Sequence, residues 1–227
     1  MKPIVVTIAR VFAVAAILGW SVTAHAQTAR TVSLPSPEAT SETYLERPAV
    51  RVTAPAGDRG RIVLIEGVAF HQGVAFHQGV AEFDVAGEVM VGAPSDTRAF
   101  VGLAFAVTDP EHYEAFYMRA TNGRADAQLR RNRAVQYIAE PEFTWQRLRA
   151  ERTGEFESYA DLGPGEWVHM RIEVDEARAR LFINGAAQPA LTVPRLKSEG
   201  VGGSGIALWV GPGSIGLFHN LTVTPVD

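Results

Sequence analysis

Between Tyr113 and Asp161 the chain collects the kinds of group that hold sugars. From Arg119 to Arg152 there are eight arginines, at positions 119, 124, 130, 131, 133, 147, 149 and 152, against four acids, Asp126, Glu140, Glu142 and Glu151. The stretch from 119 to 152 therefore carries +4 inside a chain whose formal net charge is −4. Tyr113, Tyr117, Tyr137, Phe143, Trp145 and Tyr159 interleave the charges, and Asn122, Gln128, Asn132 and Gln136 add amides. Flat rings stack on the apolar face of a pyranose, and planar donors bond paired hydroxyls or a carboxylate. The expected binding set is Tyr113, Tyr117, Arg119, Asn122, Arg124, Gln136, Tyr137, Trp145, Arg147 and Tyr159. The competing reading makes the same arginines a solvated face. For proton transfer the candidates are Asp126, Asp161 and His169, since carboxylates and imidazole are the usual general acids and bases. A lone histidine on a strand is also a common surface residue.

Other chemistry-bearing patterns are sparse. Gly67–Gln72 (GVAFHQ) is repeated as Gly73–Gln78, which spaces His71 and His77 six apart. The pair reads either as two metal ligands or as a duplicated stretch of coding sequence. A zinc site needs at least three protein ligands and no third candidate stands nearby, so no metal is expected. An even insertion leaves the inward and outward parity of a strand unchanged. Glu82 and Asp84 share one parity, either as paired carboxylates or as ordinary solvent-facing acids. No Gly-rich phosphate loop, nucleophile elbow or zinc-ligand spacing occurs, and no cofactor is expected. Asn220-Leu221-Thr222 fits the glycosylation pattern.

These groups need a scaffold, and the scaffold is clearest from Gly165 to Leu191. Val168, Met170, Ile172 and Val174 fall on one parity, and Trp167, His169, Arg171, Glu173 and Asp175 on the other. That is a half-buried strand with one core face and one wet face. Ala179, Leu181 and Ile183 repeat the pattern. Asn184-Gly185 then supplies two residues that tolerate positive φ, as a tight turn requires. Alternation also marks strands at 49–54, 61–66, 80–85, 100–107, 113–119, 134–138, 144–149, 156–162, 206–210 and 217–223. Along 100–107, Val101, Leu103, Phe105 and Val107 share a face, while Gly102, Ala104 and Ala106 leave the other nearly bare. If the strands at 102–106 and 113–119 are neighbours, Tyr117 and Arg119 border a trough on the polar face of one sheet. Trp167 and Trp209 fall on the wetter parity but are read as core. No stretch shows a 3.6-residue period. A dozen short strands separated by turns predict an all-β, two-sheet antiparallel sandwich.

The ends and the composition set the context. Lys2 and Arg10 flank an apolar run, Val11 to Trp20, followed by Ala24-His25-Ala26. This is the pattern of a signal peptide over residues 1–26, cleaved after Ala26, and the run is too short to span a membrane. Residues 27–42, rich in Ser, Thr, Pro and Ala, read as a flexible lead-in, and 43–227 as one folded domain. No later stretch is apolar enough to span. Losing the two basic residues of the signal takes the net charge from −4 to −6, which argues against nucleic acid as a partner. There is no cysteine, so neither disulfides nor a lipidated cysteine is available. The expected location is periplasmic or extracellular, and the expected partner a carbohydrate. The number of copies in an assembly is not legible.

Taken together, Trp167 with its alternating strand, Leu181-Phe182-Ile183-Asn184-Gly185, Gly205-Ile206-Ala207-Leu208-Trp209 and Phe218-His219-Asn220-Leu221 resemble the back half of concanavalin A-like jelly rolls. Gly79 to Val85 resembles their early strand. Within that superfamily the chain is similar to laminin-G-like modules and to the bacterial 3-keto-disaccharide hydrolase family, over most of residues 44–224. The resemblance implies a jelly roll that engages carbohydrate, either as a hydrolase of glycosides, including 3-keto sugars, or as a non-catalytic binding or interaction module. In a 3-keto substrate a base would remove the proton beside the ketone, a role for Asp126, Asp161 or His169. The superfamily's glucanases carry Glu-x-Asp-x-Glu or Glu-x-Asp-x-x-Glu on one strand. Here Ala86 and Gly87 stand where the third acid belongs, and Glu88 is one step late.

Overall fold

The structure of the protein, a computed structural model, describes residues 39–57, 60–64, 78–175, 177–198, 203 and 205–225. The 1–26 segment and the histidine pair at 71 and 77 lie outside them. Thirteen strands and two short helices follow in order: β1 (Ala39–Tyr44), β2 (Arg47–Ala54), β3 (Arg61–Leu64), β4 (Gly79–Val89), β5 (Phe100–Asp109), β6 (His112–Arg119), α1 (Gln128–Arg131), β7 (Val135–Glu140), α2 (Trp145–Glu151), β8 (Glu157–Ser158), β9 (Val168–Asp175), β10 (Arg178–Ile183), β11 (Leu191–Val193), β12 (Gly205–Val210) and β13 (Ser214–Pro225). They form an antiparallel sheet of seven, β1-β2-β13-β4-β9-β10-β11, and one of six, β3-β12-β5-β6-β7-β8. The all-β two-sheet sandwich expected from the alternation is what the chain adopts. Among the described residues no helix is long and apolar enough to cross a membrane.

The sheets pack face to face through the residues of one parity. Phe83 and Val85 of β4, Met170 and Ile172 of β9 and Leu181 of β10 meet Leu103 and Phe105 of β5, Phe116 and Met118 of β6, and Ile206 and Leu208 of β12. Burying each such side chain contributes about 1.5–3 kcal/mol, which is what fixes the register. β9 keeps the expected alternation, with Val168, Met170, Ile172 and Val174 buried. Asn184 and Gly185 both have positive φ, 50° and 71°, and Ala186 N–H closes the turn on the Ile183 carbonyl at 3.1 Å.

Several boundaries differ from the sequence reading. β1 already starts at Ala39, inside the stretch read as a lead-in. Residues 144–149 are not a strand: Thr144 caps α2, its side chain accepting from the Arg147 N–H at 3.4 Å. The capped turn satisfies backbone donors locally, and Leu148 is the one buried residue of that helix. The strand expected over 156–162 shrinks to the two residues of β8. In β5 the parity reverses. Ala106 has φ 51° and the pairing with β6 shifts between Phe105 and Asp109, so Ala106 faces the inter-sheet core and Val107 the opposite face. A bulge inserts one residue, and everything beyond it changes side.

Candidate functional site

The outer face of the six-stranded sheet carries one straight row of side chains. Trp209 pairs with Gly102, Gly102 with Tyr117, Tyr117 with Gln136, and Gln136 with Glu157. Strands 4.7–4.9 Å apart bring such partners into contact. Gly102 has no side chain to intervene, so the Trp209 and Tyr117 rings stack above it, with centroids 4.5 Å apart and planes at 28°. A Cβ at Gly102 would sit 2.1 Å from the Phe116 carbonyl oxygen, a distance no side chain permits.

Arg119 lies on the same parity as Tyr117 and reaches back along the row. Its guanidinium donates to the Tyr117 hydroxyl at 2.9 Å, to Gln136 Oε1 at 3.0 Å and to the Arg133 carbonyl at 3.2 Å. Gln136 passes the chain on, donating to the carbonyls of Tyr137 and Phe156. Burial pulls the Arg119 guanidinium below its usual pKa and pushes the Tyr117 phenol up. Glu157 closes the row. Its carboxylate accepts from Arg133 Nε at 3.1 Å and from Arg149 at 2.6 Å, with Arg119 at 3.9 Å. The Arg149 guanidinium lies 4.6 Å from the centre of the half-exposed Trp145 ring, and its pair with Glu157 ties α2 to this end of the row.

Further along the same face, where β5 turns into β6, a cleft of about 430 Å³ opens at the end of the sandwich. Tyr113, Phe143, Glu114, His112, Glu140 and Lys197 are among the residues lining it. Tyr113 is tied to the row, since the Trp209 indole N–H donates to its hydroxyl at 3.1 Å. Burial is the main reason the Tyr113 phenol is pushed up to about 12. Phe143 lies beneath the Lys197 ammonium, 5.3 Å from the ring centre. His112 Nδ1 is 2.9 Å from Asp109.

Glu114 is the unusual member. It shares the parity of Phe116 and Met118 and is 1% exposed, yet it borders the cleft. Its Oε2 accepts from the Tyr137 hydroxyl at 2.6 Å and its Oε1 from the Ser198 N–H at 2.7 Å. Tyr137 in turn accepts from the Lys197 N–H at 3.0 Å, and its phenol is pushed well above the usual value by burial and by the adjacent carboxylate. A carboxylate has about four acceptor positions. Two are filled from inside, by Tyr137 and Ser198, and the residue is among those lining the cleft.

The expected site residues thus divide. Tyr113, Tyr117, Arg119 and Gln136 share the outer face of the sheet, with Trp145 beside its end. The pairing of Gly102 with Tyr117 makes the two strands neighbours, but Tyr117 is buried under its stacking partner, so the trough there is filled. Tyr137 points the other way, into the inter-sheet core. Asn122 is buried and structural, donating to the Arg133 carbonyl and accepting from Arg130. Arg147 pairs with Glu142 and Glu151 on the surface. Arg124 holds Asp161 at 2.7 Å and Glu166 at 2.6 Å in an exposed ion triad. Tyr159 is exposed. The three acid/base candidates do not converge. Asp126 is exposed beside α1, Asp161 belongs to the Arg124 triad, and His169 sits on the other sheet, its Nδ1 2.9 Å from Asp84. Glu114 and Glu157 were not among the expected residues, while Trp209 is buried as expected, on the outer face of the sheet. Glu114 was findable, as an acid on the apolar parity of its strand.

No family model and no curated protein sequence matches the chain. Solved structures do. The carbohydrate binding module CBM66 from Bacillus subtilis superposes with a TM-score of 0.51 at 11% identity, covering 82% of this chain and 91% of the module. A mutant of the GH43 protein BlXynB from Bacillus licheniformis gives 0.50 at 11% identity, over 80% of this chain and 34% of that one. At such identities the likeness concerns the fold alone, here a two-sheet antiparallel β-sandwich.

Proposed function

We propose that the protein is an exported carbohydrate-binding jelly roll that takes a sugar in the cleft between Tyr113 and Phe143. The observation that carries this reading is Glu114. A carboxylate held inside a sandwich is costly. Here it is paired with neutral donors and lines a cleft that has aromatic rings on its walls. Sugar hydroxyls supply donors for such an acceptor, and a pyranose face suits the rings. The cleft volume falls within the roughly 300–1,000 Å³ of small-ligand sites. Residues 1–26 would direct export to the periplasm or beyond, which puts the site where glycans of a cell envelope are met.

A hydrolytic version of the reading, acting on glycosides including 3-keto sugars, rests on Glu114 and Glu140 both lining the cleft. Carboxyl groups are the usual acids and bases of glycoside cleavage. Glycan screening of the purified protein, followed by a turnover assay on each bound glycan, separates the two. Binding without turnover supports the module. Turnover that Glu114→Gln abolishes and His169→Ala leaves intact supports the enzyme. Absence of any glycan binding refutes both.

A further inference from the structure

Three guanidiniums surround one carboxylate at the end of the outer row. Glu157 is buried, its side chain 5% exposed, so it is a fixed part of the protein. Arg149 and Arg133 are partly open, at 22% and 27%, and Arg119 is enclosed. The four groups sum to +2 in a chain that is acidic as a whole. Arg149 uses Nε and one terminal nitrogen on Glu157, and Arg133 uses Nε. A guanidinium has five N–H donors in a planar fork, so both arginines keep donors beyond Glu157. The Trp145 ring, with the Arg149 guanidinium over one face, is 39% exposed at the same place. From Gln136, which pairs with Glu157, to Glu140, which borders the cleft, is four residues of β7, or about 13 Å.

We infer that Arg133, Arg149 and Trp145 form a second subsite, which receives the carboxylate of an acidic sugar. The guanidiniums bond the carboxylate and the indole carries the ring. The subsite rests on the carbohydrate reading and deepens it. The protein would select glycans that carry uronic acids, one sugar lying in the cleft and an acidic one at the arginines. Fixed positive charge held rigidly by a buried acid is suited to this, because little side-chain freedom is lost on binding. A neutral sugar would gain only the ring contact.

The test is a titration of the full chain with sodium glucuronate, glucose and inorganic sulfate, followed through the Arg Nε–Hε resonances by NMR. Glucuronate is expected to move the Arg133 and Arg149 resonances saturably, and glucose to leave them in place. Arg149→Gln is expected to weaken glucuronate about tenfold, the loss of one charge-assisted contact. Arg149→Lys, which keeps the charge and the fold but loses the fork, is expected to weaken it by a smaller factor. Equal response to glucose, equal response to sulfate, or no response to glucuronate overturns the subsite. The two readings fail separately. Arginine shifts without any neutral glycan in the cleft leave the subsite standing and remove the cleft. A neutral glycan in the cleft with silent arginines does the reverse.

Discussion

Replacing Tyr137 by Phe isolates the interaction on which the cleft depends. The ring is wholly buried in the inter-sheet core, so the change removes one oxygen and leaves the packing in place. That oxygen makes two contacts, donating to Glu114 at 2.6 Å and accepting from the Lys197 N–H at 3.0 Å. A hydrogen bond to a charged group is worth about 1.5–3 kcal/mol and a neutral one about 1 kcal/mol. Glu114 would keep only the Ser198 N–H among its described partners. The expected loss is therefore about 3 kcal/mol of folding stability, measured by urea denaturation with unchanged m-value. In a double-mutant cycle with Glu114→Gln the two changes should couple by about 1–2 kcal/mol, because they break a shared bond. A loss below about 0.5 kcal/mol, or strict additivity, would refute the claim that Tyr137 holds a buried carboxylate in place.

Gly102→Ala should cost at least about 2–3 kcal/mol, since its methyl would sit 2.1 Å from the Phe116 oxygen, and it should shift tryptophan emission as the Trp209–Tyr117 stack parts. Thr144→Ala removes the cap of α2 and should cost about 1 kcal/mol, while loosening Trp145 beneath Arg149 as read by fluorescence anisotropy. The tyrosines set the alkaline limit. Tyr44 and Tyr113 are pushed up to about 12, chiefly by burial, so the folded state keeps protons that the unfolded chain sheds near its usual value of about 10. Their contribution is complete below about pH 10 and is lost as pH rises toward about 12; urea midpoints should fall steadily across that window, with the phenolate absorbance of these rings appearing late. A flat stability profile there would contradict the burial of Tyr113.

The scaffold was legible because most strands bury one face and wet the other. β9 alternates cleanly, and β10 does so until Phe182, which is buried on the opposite parity. The outer face of the six-stranded sheet was harder, because Ala104, Ala115, Ala207 and Trp209 are buried there too. When both faces of a strand are dry, parity no longer says which is inside. Tyr137 was expected at the ligand by its residue type and lies in the inter-sheet core, whereas Trp209, expected to be buried, is buried on the outer face. The bulge at Ala106 reversed the end of β5 with no sign in the residue types. α2 is seven residues long, too short for its period to show, and only Thr144 marked its start. Asp126, Asp161 and His169 were chosen by type; nothing in their spacing brought them together. Glu114 had the opposite signature, a charge where its neighbours were apolar, and that was the stronger pointer.

The central claim is that a sugar occupies the cleft over Glu114. Isothermal titration of the strongest hit from a glycan screen, against wild type and Glu114→Gln, tests it most directly. The expected result is saturable binding that weakens at least about tenfold in the variant, with the fold intact by circular dichroism. Equal affinity for both proteins would place the sugar elsewhere and contradict the account.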